Sequence, residues 1–382
     1  FMFDTVSGNA QRWIDVVKAK NKKIKILIGG PKLNWYTDFP ADHFVDGFGE
    51  NQLVDMLTDK RRIWPVIVDH DPASNAREWG WNNSSTFYTE YDFIFPFERL
   101  NLEIARGCKF NCNFCSFPLL GQKELAKYCK TEETLYNELL KNYNEWGTTQ
   151  YSIADDTFND DIEKLEMMVR VVKRLPFKPK FFAYIRVDLI AVEPKQIELL
   201  KEMGLVRCYI GIESFHPVAS KVGGKGMKSD RRKETLYKMH EAWGDSVSID
   251  AGYIIGLPGE PYSYLKEQLE WFKRDDCPIN HIISFIPLII SPAWSVKFMP
   301  TSKIDKDPEK FGYDIPDRSK PNHWVKNDGT DITSYIQASQ IAEEFTKQVL
   351  TRKNVISWPQ MEIREIEPVK DYFEPLIEKL KK

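Results

Sequence analysis

The chain has 382 residues, a net charge of −3, and a composition that is 42% hydrophobic and 13% aromatic. That supports a sizeable core and excludes a disordered chain, while the near-neutral balance gives no basis for a nucleic acid partner. No apolar run is long enough to cross a bilayer: "HIISFIPLII" (281–290) is interrupted by a proline and reads as a buried strand.

Taken in chain order, "AQRWIDVVKAKN" is a helix and "KIKILIGGP" a strand. "DHFVDGFGE" is a strand and turn, and "NQLVDMLT" begins another helix. Residues 1–60 thus form a small α/β unit of about three strands, too small for a doubly wound domain of ~100 residues. Residues 61–99 read as an irregular linker. The start Phe1-Met2-Phe3 lacks an initiator methionine, which suggests a fragment or a processed chain.

From residue 100 strands and helices alternate. Strand "NLEIARG" leads into a cysteine loop, and helix "TEETLYNELLKNYNEWG" (131–147) is capped by Thr131 and stopped by Gly147. Then come strand "QYSIA", helix "DIEKLEMMVRVVKRL", strand "KFFAYIRV", and helix "EPKQIELLKEMG", which runs between Pro194 and Gly204. Strand "VRCYIGIE", helix "DRRKETLYKMHEAWG", strand "SIDAGYIIG", helix "YSYLKEQLEWFKRD" and strand "HIISFIPLI" complete six strands with five helices between them. This alternation predicts a parallel sheet, and six strands predict a partial (β/α)6 barrel at 100–290. Chemistry in such sheets collects at the carboxyl ends of the strands. After 290 a long loop precedes two helical segments, "DITSYIQASQIAEEFTKQVL" and "VKDYFEPLIEKLKK", so 291–382 reads as a C-terminal extension covering the barrel. The basic run "KGMKSDRRK" (225–233) reads as a solvated loop and helix start, and "GGKG" (223–226), which is no Walker loop, as a mobile one.

Six cysteines, three of them clustered, do not form a secreted disulfide framework, and a reducing cytoplasm is the expected setting. Cys129, Cys208 and Cys277 are scattered and read as small buried residues. Cys108, Cys112 and Cys115 have the spacing C-x3-C-x2-C. A structural zinc site needs four ligands, and the nearest histidine in sequence, His70, lies in the linker. The other reading is an iron–sulfur cubane, in which three thiolates leave one iron open to a small molecule.

That spacing directly after the first strand of a (β/α)6 chain, with "GIES" and "GYIIGLPGE" downstream, resembles the radical S-adenosylmethionine (SAM) superfamily over about 100–290. The resemblance implies a 4Fe-4S cluster on Cys108, Cys112 and Cys115, with SAM chelated to the open iron. Reductive cleavage of SAM would give a 5′-deoxyadenosyl radical that takes a hydrogen atom from an unidentified substrate. The electron would come from a donor such as flavodoxin or ferredoxin. It further implies Phe114 near adenine, Asp155 or Asp156 on the SAM amino group, and Glu213 and Ser214 facing the ribose and amino acid part. Arg186 would meet the SAM carboxylate or a substrate acid, with an ion pair to Asp188 or Glu213 as its structural reading. Gly256 and Gly259 would allow close backbone approach beside adenine. Glu260 reads as a helix N-terminal carboxylate. His323 and Trp324 are substrate-side candidates for which a packing role is favoured, and no role falls to Lys109.

"KILIGGP" followed by "VDGFGE" looks like the second half of the cobalamin-binding domain that precedes many members, a Rossmann-like remnant here. The Asp-x-His-x-x-Gly element that supplies a histidine to cobalt is absent. A chain that begins late, a structural stub, and cobalamin bound without that histidine are the three readings. With cobalamin, methyl transfer is expected. Without it, an epimerase, a cyclase or a methylthiotransferase fits, and a non-catalytic iron–sulfur scaffold is the alternative of another class.

Overall fold

In this computed structural model the described residues are 14–30, 41–46, 53, 56, 58, 67–68, 81–89, 92, 94, 98–115, 128–291, 302–317 and 322–361. Strands β1 (Leu27–Gly30), β2 (His43–Asp46) and β3 (Ile67–Val68) form a small parallel sheet in that order, with residues 14–20 helical ahead of it. Asp42 fastens its entrance, accepting from Lys18 at 2.7 Å, Ile26 N at 2.9 Å and Lys25 at 2.9 Å. Those donors, Lys18 first, hold its carboxyl well below the usual range.

The main sheet contains β4 (Leu100–Leu102), β5 (Gln150–Ile153), β6 (Lys180–Ile185), β7 (Leu205–Glu213), β8 (Ser248–Ile255) and β9 (Ile283–Pro287). They lie in chain order and every neighbouring pair is parallel, the sheet of the expected partial (β/α)6 barrel. Between them run α1 (Glu132–Trp146), α2 (Ile162–Arg174), α3 (Val187–Val192), α4 (Gln196–Glu202), α5 (Pro217–Val222), α6 (Ser229–Trp243) and α7 (Tyr262–Lys273).

The caps read from sequence are present. Thr131 accepts from Thr134 N at 3.2 Å, and Gly147 takes φ 68 to end α1. "KFFAYIRV" does not stay extended to its end. Asn159 Oδ1 accepts from Arg186 N at 2.8 Å, and its Nδ2 donates to Arg186 O at 3.0 Å. With both backbone groups taken from the ladder, Arg186 becomes the N-cap of α3.

Strand alternation sorts side chains between two faces. Leu102, Ile153, Ala183, Ile210, Ala251 and Phe285 are buried on the helix-facing side, where each large aliphatic contributes roughly 1.5–3 kcal/mol. The other face carries the register-matched Asn101, Ser152 and Phe182, and beside them Tyr184 and Tyr209.

After β9 come α8 (Lys303–Lys306), the antiparallel pair β10 (Tyr313–Asp314) and β11 (Val325–Lys326), and α9 (Tyr335–Val349). α9 lies on the helix-facing side of β9, its Phe345 ring meeting Phe285 edge-on at 5.4 Å and Tyr262 of α7 at 6.2 Å. It therefore supplies the helix of the sixth strand–helix unit, the one that follows β9. The segment expected at 369–382 lies outside the described residues. Among the described residues no helix is long and apolar enough to cross a membrane.

Candidate active site

The carboxyl end of β4 is fixed before the cysteines begin. Asp155, just beyond β5, accepts Ile104 N at 2.9 Å and Ala105 N at 2.8 Å on one oxygen and faces Lys164 at 3.3 Å with the other. Lys164 also meets Asp160 at 2.6 Å and is fully buried. Burial opposes its charge, but Asp155 and Asp160 outweigh that and raise its pKa above the usual lysine value. Gly107, at φ 86, then turns the chain into the loop.

Within the loop, Cys115 N donates to Cys112 O at 3.1 Å. Cys108 Sγ lies 3.4 Å from Thr157 Oγ1, and burial raises its thiol pKa. Cys112 Sγ accepts from Arg186 Nη1 at 3.4 Å. Lys109, given no role above, pairs with Asp161 at 2.7 Å and so ties the loop to the N-cap of α2. Asn113 donates to Val222 O and accepts from Ile304 N, joining the loop to α5 and α8.

The opposite part of the rim rests on buried cations. Arg232 of α6 donates to Ile212 O at 3.2 Å, Ser214 O at 2.7 Å and Ser220 Oγ at 2.9 Å. Lys225 donates to Gly211 O and sits 3.4 Å from Glu213. Glu213 takes φ 61 at the β7 bulge, a conformation non-glycine residues rarely adopt, which re-aims its side chain.

Several expectations change here. "GGKG" is anchored rather than free along its first three residues: Gly223 and Lys225 are buried, and a Cβ on Gly224, at φ 78, would come within 3.1 Å of Cys112 Cα, while one on Gly226 would meet nothing. Nor is 225–233 simply a solvated stretch, since Lys225 and Arg232 are buried. Asp155 is wholly enclosed and committed to the β4 exit. Asp156 is the neighbour left open at the rim. Desolvation first, then the charges of Asp155 and Glu103, push it up to about 6.

Ser214 is also turned inward. It donates to Glu260 at 2.7 Å, and Tyr253 OH donates to the same oxygen at 2.5 Å. Burial, opposed by those donors, pushes the Glu260 carboxyl up to about 7. Glu260 is thus a buried tie between the β7 and β8 ends rather than a helix N-terminal charge. Close approach at Gly256 does occur, but to Trp324, whose Cη2 would lie 2.7 Å from an added Cβ. Trp324 is buried and donates to Leu288 O at 2.8 Å, a packing role, while His323 is exposed. Gly259 is covered by Val218. Arg186 makes its ion pair with Asp188, at 2.6 Å, and Phe114 is half-buried against Gly223.

Sequence reasoning missed Lys164, Lys225, Arg232 and Thr157. Two of them carried a signal. Lys164 is in phase with Met168 and Val171, and Arg232 with Leu236, Met239 and Trp243, all buried. A cation inside the apolar stripe of its own helix points to a buried partner.

Cys108, Cys112 and Cys115 offer three thiols from one loop, one short of the four ligands of a structural zinc site; three thiolates would hold three corners of a 4Fe-4S cubane and leave its fourth iron open.

Residues 102–272 match the Radical SAM superfamily. An uncharacterised methyltransferase of Pyrococcus horikoshii is 24% identical over 68% of this chain and 60% of its own length. The anaerobic magnesium-protoporphyrin IX monomethyl ester cyclase of Cereibacter sphaeroides is 26% identical over 72% of this chain and 44% of its own. The chain thus spans about half the length of these relatives. Among solved structures, the radical SAM methyltransferase TsrM of Kitasatospora setae, with cobalamin and a 4Fe-4S cluster bound, superposes with a TM-score of 0.61. It is 14% identical and covers 88% of this chain and 70% of that one.

Proposed function

We propose that this chain, whose residues 102–272 match the Radical SAM superfamily, is a SAM-dependent radical methyltransferase working with cobalamin. The observation that carries the radical reading is one loop of three thiols, Cys108, Cys112 and Cys115, anchored at the strand ends of a parallel six-stranded sheet. The 4Fe-4S cluster, when bound, supplies the electron that cleaves SAM to a 5′-deoxyadenosyl radical able to remove hydrogen from substrate. The chain's own residues hold and shield. Asp155, Lys164 and Asp160 fix where the loop leaves β4. Asp156, open at the rim, is the carboxylate suited to the SAM ammonium, and Glu213, re-aimed by its bulge, is the second. Phe114, on the same loop and half-buried, is the aromatic proposed to cover adenine. Asp155, Ser214 and Gly256 act behind the site, through the contacts described above.

The methyl-transfer part rests on the relatives named above and on the parallel sheet β1-β2-β3, the beginning of a nucleotide-type α/β unit that runs past 1–60, since its third strand, Ile67–Val68, lies in the stretch read from sequence as an irregular linker. The linker 61–99, the core 100–290 and the extension 291–382 complete the proposed division. The cyclase relative favours cyclisation as the second reading.

The test is anaerobic reconstitution with iron and sulfide, then dithionite and SAM. 5′-Deoxyadenosine is expected from the wild type and none from Cys112→Ala; its absence from the wild type would remove the enzyme reading. A cobalamin absorbance spectrum from protein supplied with hydroxocobalamin supports methyl transfer. Its absence leaves hydrogen abstraction alone, as in an epimerase or cyclase.

A further inference from the structure

We infer that Arg186 is a positioning residue for Cys112 that raises the reduction potential of the group held by the three thiolates, rather than a clamp for the SAM carboxylate. The inference rests on the proposed cluster and adds to it. A guanidinium recognises a carboxylate by presenting two parallel N–H groups along one edge. In Arg186 that edge is taken: Nε donates to Asp188 Oδ1 at 3.0 Å and Nη2 to Asp188 Oδ2 at 2.6 Å. One face of the plane lies over the Phe110 ring, 4.0 Å from its centroid. The remaining donor, Nη1, points at Cys112 Sγ, 3.4 Å away.

Neither partner has room to turn aside. Arg186 is 6% exposed and Cys112 8%. Asn159 clasps the backbone of Arg186 on both sides, and Gly224 closes on Cys112. Cys108 differs, since its neighbour is the neutral hydroxyl of Thr157 at 3.4 Å. The positive charge is therefore delivered to Cys112 and not to Cys108.

A thiolate bound to iron is an anion, and adding an electron makes the whole group more negative. A fixed cation next to a ligand sulfur stabilises the reduced state more than the oxidised one, so the group accepts an electron more readily. Asp188 orients the cation and offsets part of its charge. Its removal should strengthen the field at Cys112.

The experiment uses the full chain, reconstituted anaerobically with iron and sulfide, with no SAM present. The midpoint potential is read by electron paramagnetic resonance during a dithionite titration. Arg186→Gln should keep the wild-type iron content and shift the midpoint to more negative potential. Arg186→Lys should fall between the two, and Asp188→Asn should shift it to more positive potential. An unmoved midpoint in Arg186→Gln, with iron retained and SAM binding weakened, would overturn the inference and return Arg186 to the SAM carboxylate. Should Arg186→Gln fail to hold iron, Asp188→Asn decides: a positive shift supports the inference and no shift overturns it. A wild type that takes up no iron sinks the proposed cluster itself, an outcome distinct from any pattern among the variants.

Discussion

Lys164 and Lys238 each follow an acidic residue by four positions, and the resemblance ends there. Lys164 and Asp160, 2.6 Å apart at the strand-end rim, have side chains only 0% and 1% exposed. Lys238 and Glu234, also 2.6 Å apart but on the outer shell, are 61% and 63% exposed. The first pair belongs to a three-residue cluster with Asp155, which holds the exit of β4. The second is a solvated pair in which water competes for both partners. Distance alone therefore says little about worth; burial and the remaining partners decide it.

The sharpest way to break this contrast is Lys164→Ala. It strands two buried carboxylates, and a buried pair that loses one partner costs ~3–5 kcal/mol. The urea midpoint should fall steeply, and a change as small as that of a surface variant would end the argument for the rim.

Next comes pH. The Glu260 carboxyl is raised from 4.5 to about 7 in the folded state. The native protein then binds that proton more tightly than the unfolded chain, so this group's stabilisation is complete below about 4.5 and is lost as pH rises through about 7. The loss amounts to at most ~3.5 kcal/mol at 1.36 kcal/mol per unit. Glu260→Gln cannot ionise and should flatten that part of the stability profile in urea titrations at stepped pH. A profile that keeps its slope would mean another group carries it.

A smaller effect is expected from Gly256→Ala. The new methyl meets Trp324 at 2.7 Å and the residue must keep φ 98, so a cost of ~1–3 kcal/mol should appear as a lower melting temperature. Smallest is Lys238→Ala, for which thermal unfolding should match the wild type within error.

Legibility in the sequence followed the range of the interactions. Helix limits at Thr131, Gly147 and Gly204 could be read because caps act over one turn. The three cysteines could be read because their spacing is itself the signal. Asp155 and Asp156 could not be told apart, although one is buried and the other open. Adjacent residues at a strand end point to opposite sides, and which side is the interior depends on the helices that cover it. Gly256 was expected to approach adenine; the close approach that the structure shows there is to Trp324, far along the chain.

The sequence by itself determined the alternation of strands and helices, the caps, and the thiol loop after β4. Each of these is written in periodicity or spacing over a few residues. Only the tertiary structure decided which charges would be buried and what they would face. Arg186 and Cys112 are 74 positions apart, and Lys326 and Leu257, also in contact, 69. No local pattern encodes such pairs, because a desolvated charge takes the partner that folding brings within reach, whatever its place in the chain.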